Sequence, residues 1–355
     1  MNTPKFAPPK PSFHAEIKSR INEYFEQSGK LKTGNYKLFS KAVILISILL
    51  ALYIHLTFFT PNYWLAAAEC GLLGITIAAI GFNIMHDGAH GSFSNNRMLN
   101  KLAAVTLGFL GGSHFMWDVK HNIIHHAYTN IAGVDDDINA EPFLRMAKTQ
   151  KKRAMHKLQH VYFWFFYSIL YLYWIFLSDY RKYFTQKVGN MPLKKMAVKD
   201  HFFFWFYKVL HHVVFIVTPM IMVGVVPTLV GFLICTLIAG FVLSIVFQLA
   251  HTVEHTQFPT PDAATGKMDD EWAIHQLKTT ANFATNNKVV SWLVGGLNFQ
   301  IEHHLFPKIS HIHYPAISKI LKQVCKEYGI AYIEYKRTHQ AVISHILFLR
   351  RMGRA

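Results

Sequence analysis

Four long apolar runs dominate the pattern of the chain, and each is close to the ~20 residues that a helix needs to cross a bilayer. They cover residues 42–59, 63–85, 204–226 and 228–250. Short turns at 60–62 and around Pro227 join the runs in pairs. The pattern therefore predicts an all-α integral membrane protein with four transmembrane helices arranged as two hairpins.

The first hairpin carries two ionisable residues inside its apolar runs. Glu69 lies in the second run and His55 in the first, at similar distances from the turn. A charged side chain inside a span is costly unless it is paired. We therefore predict a structural contact between Glu69 and His55 near the far side of the membrane.

Helical periodicity predicts two amphipathic helices outside these runs. Apolar residues recur every four positions over residues 13–25 and at helical spacing over residues 315–328. The first helix either lies on the membrane surface or packs on the cytosolic part of the protein. We divide the chain into a cytosolic N-terminal segment (1–40), a membrane domain (41–320) and a cytosolic C-terminal segment (321–355).

Histidines cluster at three places with short helical spacings. The clusters are His86 with His90, His121 with His125 and His126, and Gln300 with His303 and His304. Residues three or four positions apart share one face of a helix, so the first two histidines in each of the first two clusters can reach a common ion. Adjacent residues diverge by about 100°, so the adjacent histidines of the second and third clusters are expected to serve two ions.

These clusters predict a cytosolic helical domain that holds a dinuclear metal site. His251, where the last run ends, lies on the same membrane face and completes the predicted ligand set of eight histidines: His86, His90, His121, His125, His126, His251, His303 and His304. Gln300 is expected to bind weakly, to act through a water, or to form a hydrogen bond to a ligand. His255 is a further candidate ligand. Asp87, Glu254 and Glu302 are candidates for fixing imidazole tautomers.

The ligand chemistry narrows the choice of metal. Imidazole suits zinc, copper, iron and nickel. A structural zinc needs only four ligands, and eight histidines exceed that number. The clusters contain no cysteine. Redox-active iron that handles O2 is therefore the preferred prediction.

The position of the clusters predicts which apolar stretch does not cross. A fifth, shorter stretch covers residues 161–177. If it also crossed, the third cluster would lie on the opposite side of the membrane from the first two, and no shared site could form. The stretch is rich in Tyr and Trp, which favour the membrane interface. We therefore predict that residues 161–177 lie in the interface.

The distribution of basic residues agrees with four spans. Lys and Arg number 8 in residues 1–41, 15 in 86–200, one at Lys208 and 12 in 250–355, and the two turns carry none. Cytoplasmic loops carry the excess of Lys and Arg, so both termini and the histidine clusters are predicted to be cytosolic. The net charge of +16 suits an anionic membrane surface, and no nucleic-acid-binding motif is present.

The clusters resemble the three histidine boxes of the membrane fatty acid desaturases. The matching motifs are His86-Asp87-x-x-His90, His121-x-x-x-His125-His126, and Gln300-x-x-His303-His304 followed by Leu305-Phe306-Pro307. The glutamine form of the third box is typical of front-end, linoleoyl-type desaturases, which insert a double bond between an existing one and the carboxyl end. Segments 135–138 and 279–282 are also similar, and the resemblance covers roughly residues 40–320.

The resemblance implies an O2-dependent acyl desaturase with a non-haem diiron centre held by the eight histidines. It implies two electrons from a donor and a fatty acyl substrate as acyl-CoA or acyl-lipid. The chain lacks the His-Pro-Gly-Gly motif of a fused cytochrome b5, so a separate ferredoxin or free cytochrome b5 is expected to supply the electrons. The short form resembles bacterial members and implies an inner membrane location.

Two alternatives remain at this point. The same scaffold also serves lipid hydroxylases and desaturases of sphingoid bases. A metal transporter or a zinc-binding membrane receptor would also carry histidines, but a transporter places its ligands near the middle of the bilayer. Here the clusters lie just outside the predicted spans, which favours the enzyme.

Overall fold

The computed structural model describes residues 3–8 and 12–355, and most of them are helical. The helices are α1 (Phe13–Ser28), α2 (Tyr36–Phe59), α3 (Tyr63–Ala89), α4 (Arg97–Phe109), α5 (114–128), α6 (Ala154–Thr185), α7 (Val198–Val223), α8 (Val225–His251), α9 (Trp272–Thr279), α10 (Lys288–Leu293), α11 (Gln300–Leu305), α12 (Tyr314–Glu327) and α13 (Thr338–Arg354). Four short strands are β1 (Lys187–Val188), β2 (Met191–Pro192), β3 (Asn282–Phe283) and β4 (Glu334–Tyr335). Strands β1 and β2 pair antiparallel, and β3 and β4 pair parallel.

Five helices of the described chain are long and apolar enough to cross a membrane: α2, α3, α6, α7 and α8. Four of them correspond to the predicted hairpins. The fifth, α6, contains the stretch predicted to lie in the interface. Length and composition alone do not separate α6 from the others, so the assignment of four spans stays a prediction.

The predicted contact inside the first hairpin is confirmed. The Nδ1 atom of His55 lies 2.9 Å from the carboxylate of Glu69. The glutamate side chain is mostly buried while the imidazole is more exposed. The pair satisfies Glu69, the one acid in the apolar run 63–85.

Close helix packing holds the membrane part together at two glycines. A side chain at Gly74 of α3 would collide with the carbonyl of Cys235 in α8, and one at Gly240 of α8 would collide with the carbonyl of Ser168 in α6. Helix α8 is therefore the central helix, with α3 and α6 against it. It delivers His251 at its last residue.

Helix α1 packs on the short helices α9, α11 and α12, as the second of the two alternatives left by the sequence predicted. Its buried face of Phe13 and Ile17 contacts Leu277 of α9, Ile301 of α11 and Leu321 of α12. Helix α12 agrees with the predicted C-terminal helix. These four helices form one apolar cluster behind the third histidine cluster.

The last helix, α13, was not predicted. Its buried face packs on α6, where the hydroxyl of Tyr167 lies 3.0 Å from Nε2 of His345 and the amide of Gln159 donates to the carbonyl of Leu349 at 2.8 Å. Apolar and polar residues mix along this segment, so the face that packs on α6 was not evident from periodicity.

Candidate metal centre

The three histidine clusters and His251 converge at one end of the long helices α3 and α8. His86 and His90 end α3, the second cluster lies in α5, His251 ends α8, and the third cluster lies in α11. Seven of the eight predicted ligands are buried, and His90 is half-buried. The geometry therefore brings all four sequence-distant segments into one site.

One group of histidines combines residues from all three histidine boxes. His86, His90, His121 and His303 place one ring nitrogen each within 4.8 Å of one another. The Nε2 atoms of His86 and His121 are 3.3 Å apart. We name these four residues group 1.

A second group lies beside it. His125, His251 and His304 also place one ring nitrogen each within 4.8 Å of one another. The amide nitrogen of Gln300 lies 3.3 Å from Nε2 of His251, so the glutamine reaches this group. We name the three histidines group 2.

The second box contributes to both groups. His121 and His125 were expected to share an ion, with His126 facing another, and one ring nitrogen of each does lie within 4.8 Å of the other and of a carboxylate oxygen of Asp137. His121 also belongs to group 1 and His125 to group 2. Helix α5 is wound more widely here, with the amide of His126 donating to the carbonyl of His121. The Nε2 atom of His126 consequently lies 3.2 Å from that of His121.

His126 lies between the groups. Its ring centroid is 4.6 Å from that of His303 and 4.5 Å from that of His304. The adjacent histidines of the third cluster diverge as expected, because His303 belongs to group 1 and His304 to group 2. The predicted divergence is therefore correct for the third box and altered by the helix winding in the second.

Unpartnered atoms converge on the centre of the site. The buried Nε2 atoms of His90, His125, His303 and His304 and Oε1 of Gln300 have no hydrogen-bond partner among the described residues. Buried polar atoms are nearly always paired, so this convergence of lone pairs fits bound cations. The donor set, rich in imidazole, fits iron.

The protonation of the cluster also suits metal binding. Burial first, and then the neighbouring imidazoles, hold the pKa of His303 and His304 well below the ordinary value. The pKa of His121 is lowered in the same way. Metals bind the neutral imidazole, so these side chains are in the ligating form near neutral pH without first losing a proton.

Polar side chains next to the ligands contact the ring nitrogens that face away from the centre of the site. The Nδ1 atom of His125 lies 3.1 Å from Asp135 and 3.2 Å from Asp137. Nδ1 of His304 lies 2.9 Å from Oε1 of Gln276. Burial alone would lower the pKa of His125, but the two carboxylates outweigh it and raise that pKa. Such contacts fix ring orientation and make the ligand more basic.

Two further contacts complete this outer layer. The Nδ1 atom of His303 lies 3.2 Å from the hydroxyl of Tyr314, and that of His251 lies 3.3 Å from the carbonyl of Thr279. The segments 135–138 and 279–282 had been noted for their family resemblance. Gln276 and Tyr314 carried no signal, because a lone polar residue on a short helix is unremarkable.

The acids expected to fix imidazole tautomers do not contact the ligand rings. Asp87 accepts a hydrogen bond from Ser310 at 2.7 Å and lies 3.0 Å from Nδ1 of His311. Glu302 accepts from Asn282 at 2.7 Å and Tyr332 at 2.6 Å. Both lie beside a ligand in sequence, and consecutive helical residues face different directions, so both bind neighbouring segments instead.

Two other candidates lie outside the site. Glu254 lines an outer cleft with Tyr335 and Ser344. His255 is exposed, and its ring stacks on Tyr335. Helix α8 ends at His251, so the residues beyond it turn away from the metal ligands. The structure therefore offers no support for His255 as a ligand.

Aromatic residues form the apolar wall of the site. The ring of Trp117 stacks on His121 at 4.4 Å between centroids, and the ring of Phe247 lies 6.0 Å from His121. Phe82 contacts Phe247 at 5.9 Å. This wall borders group 1 through His121.

The sequence model of the fatty acid desaturase family matches residues 62–336. The chain belongs to the fatty acid desaturase family. The match covers all three histidine boxes of this desaturase. It is an oxidoreductase with membrane-spanning helices.

Curated relatives agree over nearly the whole chain. A protein of Arthrospira platensis named sn-1 linoleoyl-lipid 6-desaturase is 35% identical over 96% of this chain and 92% of its own length. A protein of Synechocystis sp. with the same name is 35% identical over 98% and 97%. An acyl-lipid (8-3)-desaturase of Physcomitrium patens is 33% identical over 96% of this chain and 72% of its own length.

Proposed function

We propose that the protein is a front-end desaturase of lipid-linked fatty acyl chains that works at a non-haem diiron centre. The observation that carries the proposal is the pair of histidine groups with unpartnered nitrogens, reached by Gln300 of the third box. The names of the relatives support a linoleoyl substrate and insertion at carbon 6.

The eight predicted histidines would hold the metals, with group 1 and group 2 on separate ions and His126 between them. Two irons bound there would supply the O2 activation that removes one hydrogen from each of two adjacent carbons. The balance is one O2, two electrons and two protons consumed with the acyl chain, giving one double bond and two waters. The donor set and its burial support this assignment.

The protein side chains have three tasks in this reaction. Asp135 and Asp137 hold the ring of His125, and Gln276 holds that of His304. Trp117 and Phe247 exclude water from the side where an acyl chain would lie. Because every one of these groups is held by packing or hydrogen bonds, the site is organised before substrate arrives.

We further propose four spans, with α6 in the interface and the termini and metal centre in the cytosol. Contacts on both ends of α6 support this arrangement. In its first half, Tyr162 donates to the carbonyl of Phe143 at 2.8 Å, and after its end, Asn190 donates to that of Gly133 at 3.1 Å. Both partners belong to the loop that follows the second histidine box. A crossing helix would place its two ends on opposite faces.

Electrons would come from a separate ferredoxin or free cytochrome b5, and the location would be a bacterial inner membrane. The two relatives that match over nearly their whole length come from bacteria, which supports both proposals. The acyl-lipid names among the relatives favour lipid-linked acyl chains over acyl-CoA.

The test is expression of the full chain in a host supplied with linoleate, followed by mass spectrometry that locates any new double bond in the lipids. A new bond between the existing one and the carboxyl end is expected. A hydroxylated product, or a new bond on the methyl side, would contradict the proposal. A His303→Ala variant should give no product while remaining in the membrane.

A further inference from the structure

An open cleft of about 940 Å³ lies between the starts of α10 and α13, away from the metal centre. Four basic side chains line it: Lys288, Lys336, Arg337 and His339. The lining lies wholly in the described part of the chain and contains no acidic residue. The cleft is therefore a concentrated positive surface open to an anionic ligand.

The fold fixes these charges on opposite walls. Strand β3 pairs with β4 through Phe283 and Tyr335, and the amide of Ala284 donates to the carbonyl of Tyr335 at 2.8 Å. One wall of the cleft, residues 284–289, follows β3, and the other, residues 336–342, follows β4. The nearby acid, Glu334, pairs with Lys322 at 2.7 Å. It lines an adjoining cleft that shares Lys336 with this one, and it is not part of this lining.

The cleft lies at the level where the long helices leave the membrane. The amide of Asn83 in α3 donates to the carbonyl of Leu293 at 2.9 Å, and Lys41 of α2 donates to that of Trp292 at 3.2 Å. Helix α10 also exposes apolar side chains, with Val289 68% and Leu293 39% exposed. Basic and exposed apolar residues beside a tryptophan are typical of the headgroup region.

We propose that this cleft binds the phosphate group of an anionic membrane lipid. Lys and Arg supply the charge that recognises phosphate, and Val289 lies where the first carbons of an acyl chain would follow. The exposed apolar side chains on the same helix favour a lipid over an acidic protein. The proposal is independent of the desaturase reaction.

The cleft is also connected to the metal centre through the backbone. The amide of Phe283 donates to the carbonyl of Asn298 at 3.0 Å, and the amide of Ile301 donates to Oδ1 of Asn282 at 2.9 Å. Helix α11, which carries the third box, therefore rests on the strand that ends in the cleft. A bound lipid would hold this segment against the membrane.

The test measures retention of phosphatidylglycerol by the full-length protein in detergent, using native mass spectrometry. The variant Lys336→Gln/Arg337→Gln removes two charges, and each charge near an anionic lipid is worth about fivefold, so binding is expected to weaken about 25-fold. The control, Lys194→Gln/Lys195→Gln, removes two exposed lysines outside the cleft and should change binding less than twofold. An equal loss in both variants would overturn the proposal.

A second comparison separates a lipid site from a phosphate site. Val289→Ser keeps the charge of the cleft and should weaken phosphatidylglycerol roughly threefold or more, because it removes an apolar contact. Lys288→Gln should weaken it about fivefold without touching the start of α13. Displacement of the lipid by inorganic phosphate at equal concentration would show a soluble phosphate site and overturn the assignment to a lipid.

Discussion

Group 1 and group 2 are built from the same side chain but are held in different ways. In group 1 the ring of His303 is oriented by a neutral hydroxyl, that of Tyr314, and the group borders the aromatic wall of Trp117. In group 2 the ring of His125 is oriented by two carboxylates, Asp135 and Asp137. The two predicted metal positions are therefore unequal in charge.

This difference shows in the basicity of the ligands. Burial and neighbouring imidazoles hold the pKa of His303 well below its ordinary value, whereas the two carboxylates overcome burial and raise that of His125. A carboxylate behind an imidazole makes it a stronger donor. We expect group 2 to bind its metal more tightly and to depend more on its outer contacts.

Removal of a ligand should give the largest effect and separate the groups. His86→Ala deletes one ligand of group 1, and His304→Ala deletes one of group 2. Each variant is expected to lose at least about a thousandfold in turnover, since an acyl C–H bond is not cleaved without the complete centre. Metal analysis should find about one iron in each variant instead of two.

The control for these variants is His255→Ala, an exposed histidine that belongs to neither group. It should keep both metals and full turnover. Retention of two irons with wild-type turnover in His304→Ala would contradict the assignment of group 2.

Asp135→Asn tests the carboxylate contact of group 2. The change keeps the shape of the side chain but removes its charge from His125. Loss of such an outer contact typically weakens metal binding about 10- to 100-fold. Competition with a chelator should release one metal earlier than in the wild type, and Asp262→Asn, in an exposed loop, should not change the release.

The sequence predicted the first histidine box well because it depends on local geometry. His86 and His90 lie one helical turn apart at the end of α3, where the amide of His90 donates to the carbonyl of His86, so their spacing alone places both in one group. The same argument holds for His121 and His125, which also lie within reach of one ion. It did not predict that His126 comes within 3.2 Å of His121, because the wide winding of α5 has no local signature in the sequence.

The outer contacts were harder to predict than the ligands. Gln276 and Tyr314 lie on helices that approach the centre only after the chain has folded, and neither is unusual where it stands. For Asp87 and Glu302 the sequence predicted contacts with the ligand rings that the structure does not contain. Their closeness in sequence to a ligand suggested a contact with the ligands, but their side chains face other segments.

Acid should disturb the surroundings of group 2. His275 contacts the carbonyl of Thr129 at 2.9 Å, and His345 contacts that of Thr252, next to His251, at 2.7 Å. Burial lowers the pKa of each to about 4. The folded protein keeps both neutral while the unfolded chain takes up protons below about pH 6.5. Stability is therefore expected to fall as the pH drops from about 6.5 toward 4.

The expected loss is roughly 1 kcal/mol for each histidine at pH 5.5. Thermal unfolding of the full-length protein between pH 5 and 8 measures it. His345→Gln should reduce the loss of unfolding free energy at pH 5.5 by roughly 1 kcal/mol. The exposed His339→Gln should leave this loss unchanged. A profile that rises toward acid pH would contradict the burial of these neutral imidazoles.

Tyr314→Phe should give the smallest effect, because it removes one neutral hydrogen bond from group 1 and keeps the buried ring in place. A neutral hydrogen bond contributes about 1 kcal/mol, so metal release from group 1 is expected to accelerate less than tenfold. The same chelator competition that tests Asp135→Asn measures it. If Tyr314→Phe and Asp135→Asn released metal equally fast, the two positions would be held equally, and charge would not be what distinguishes group 2 from group 1.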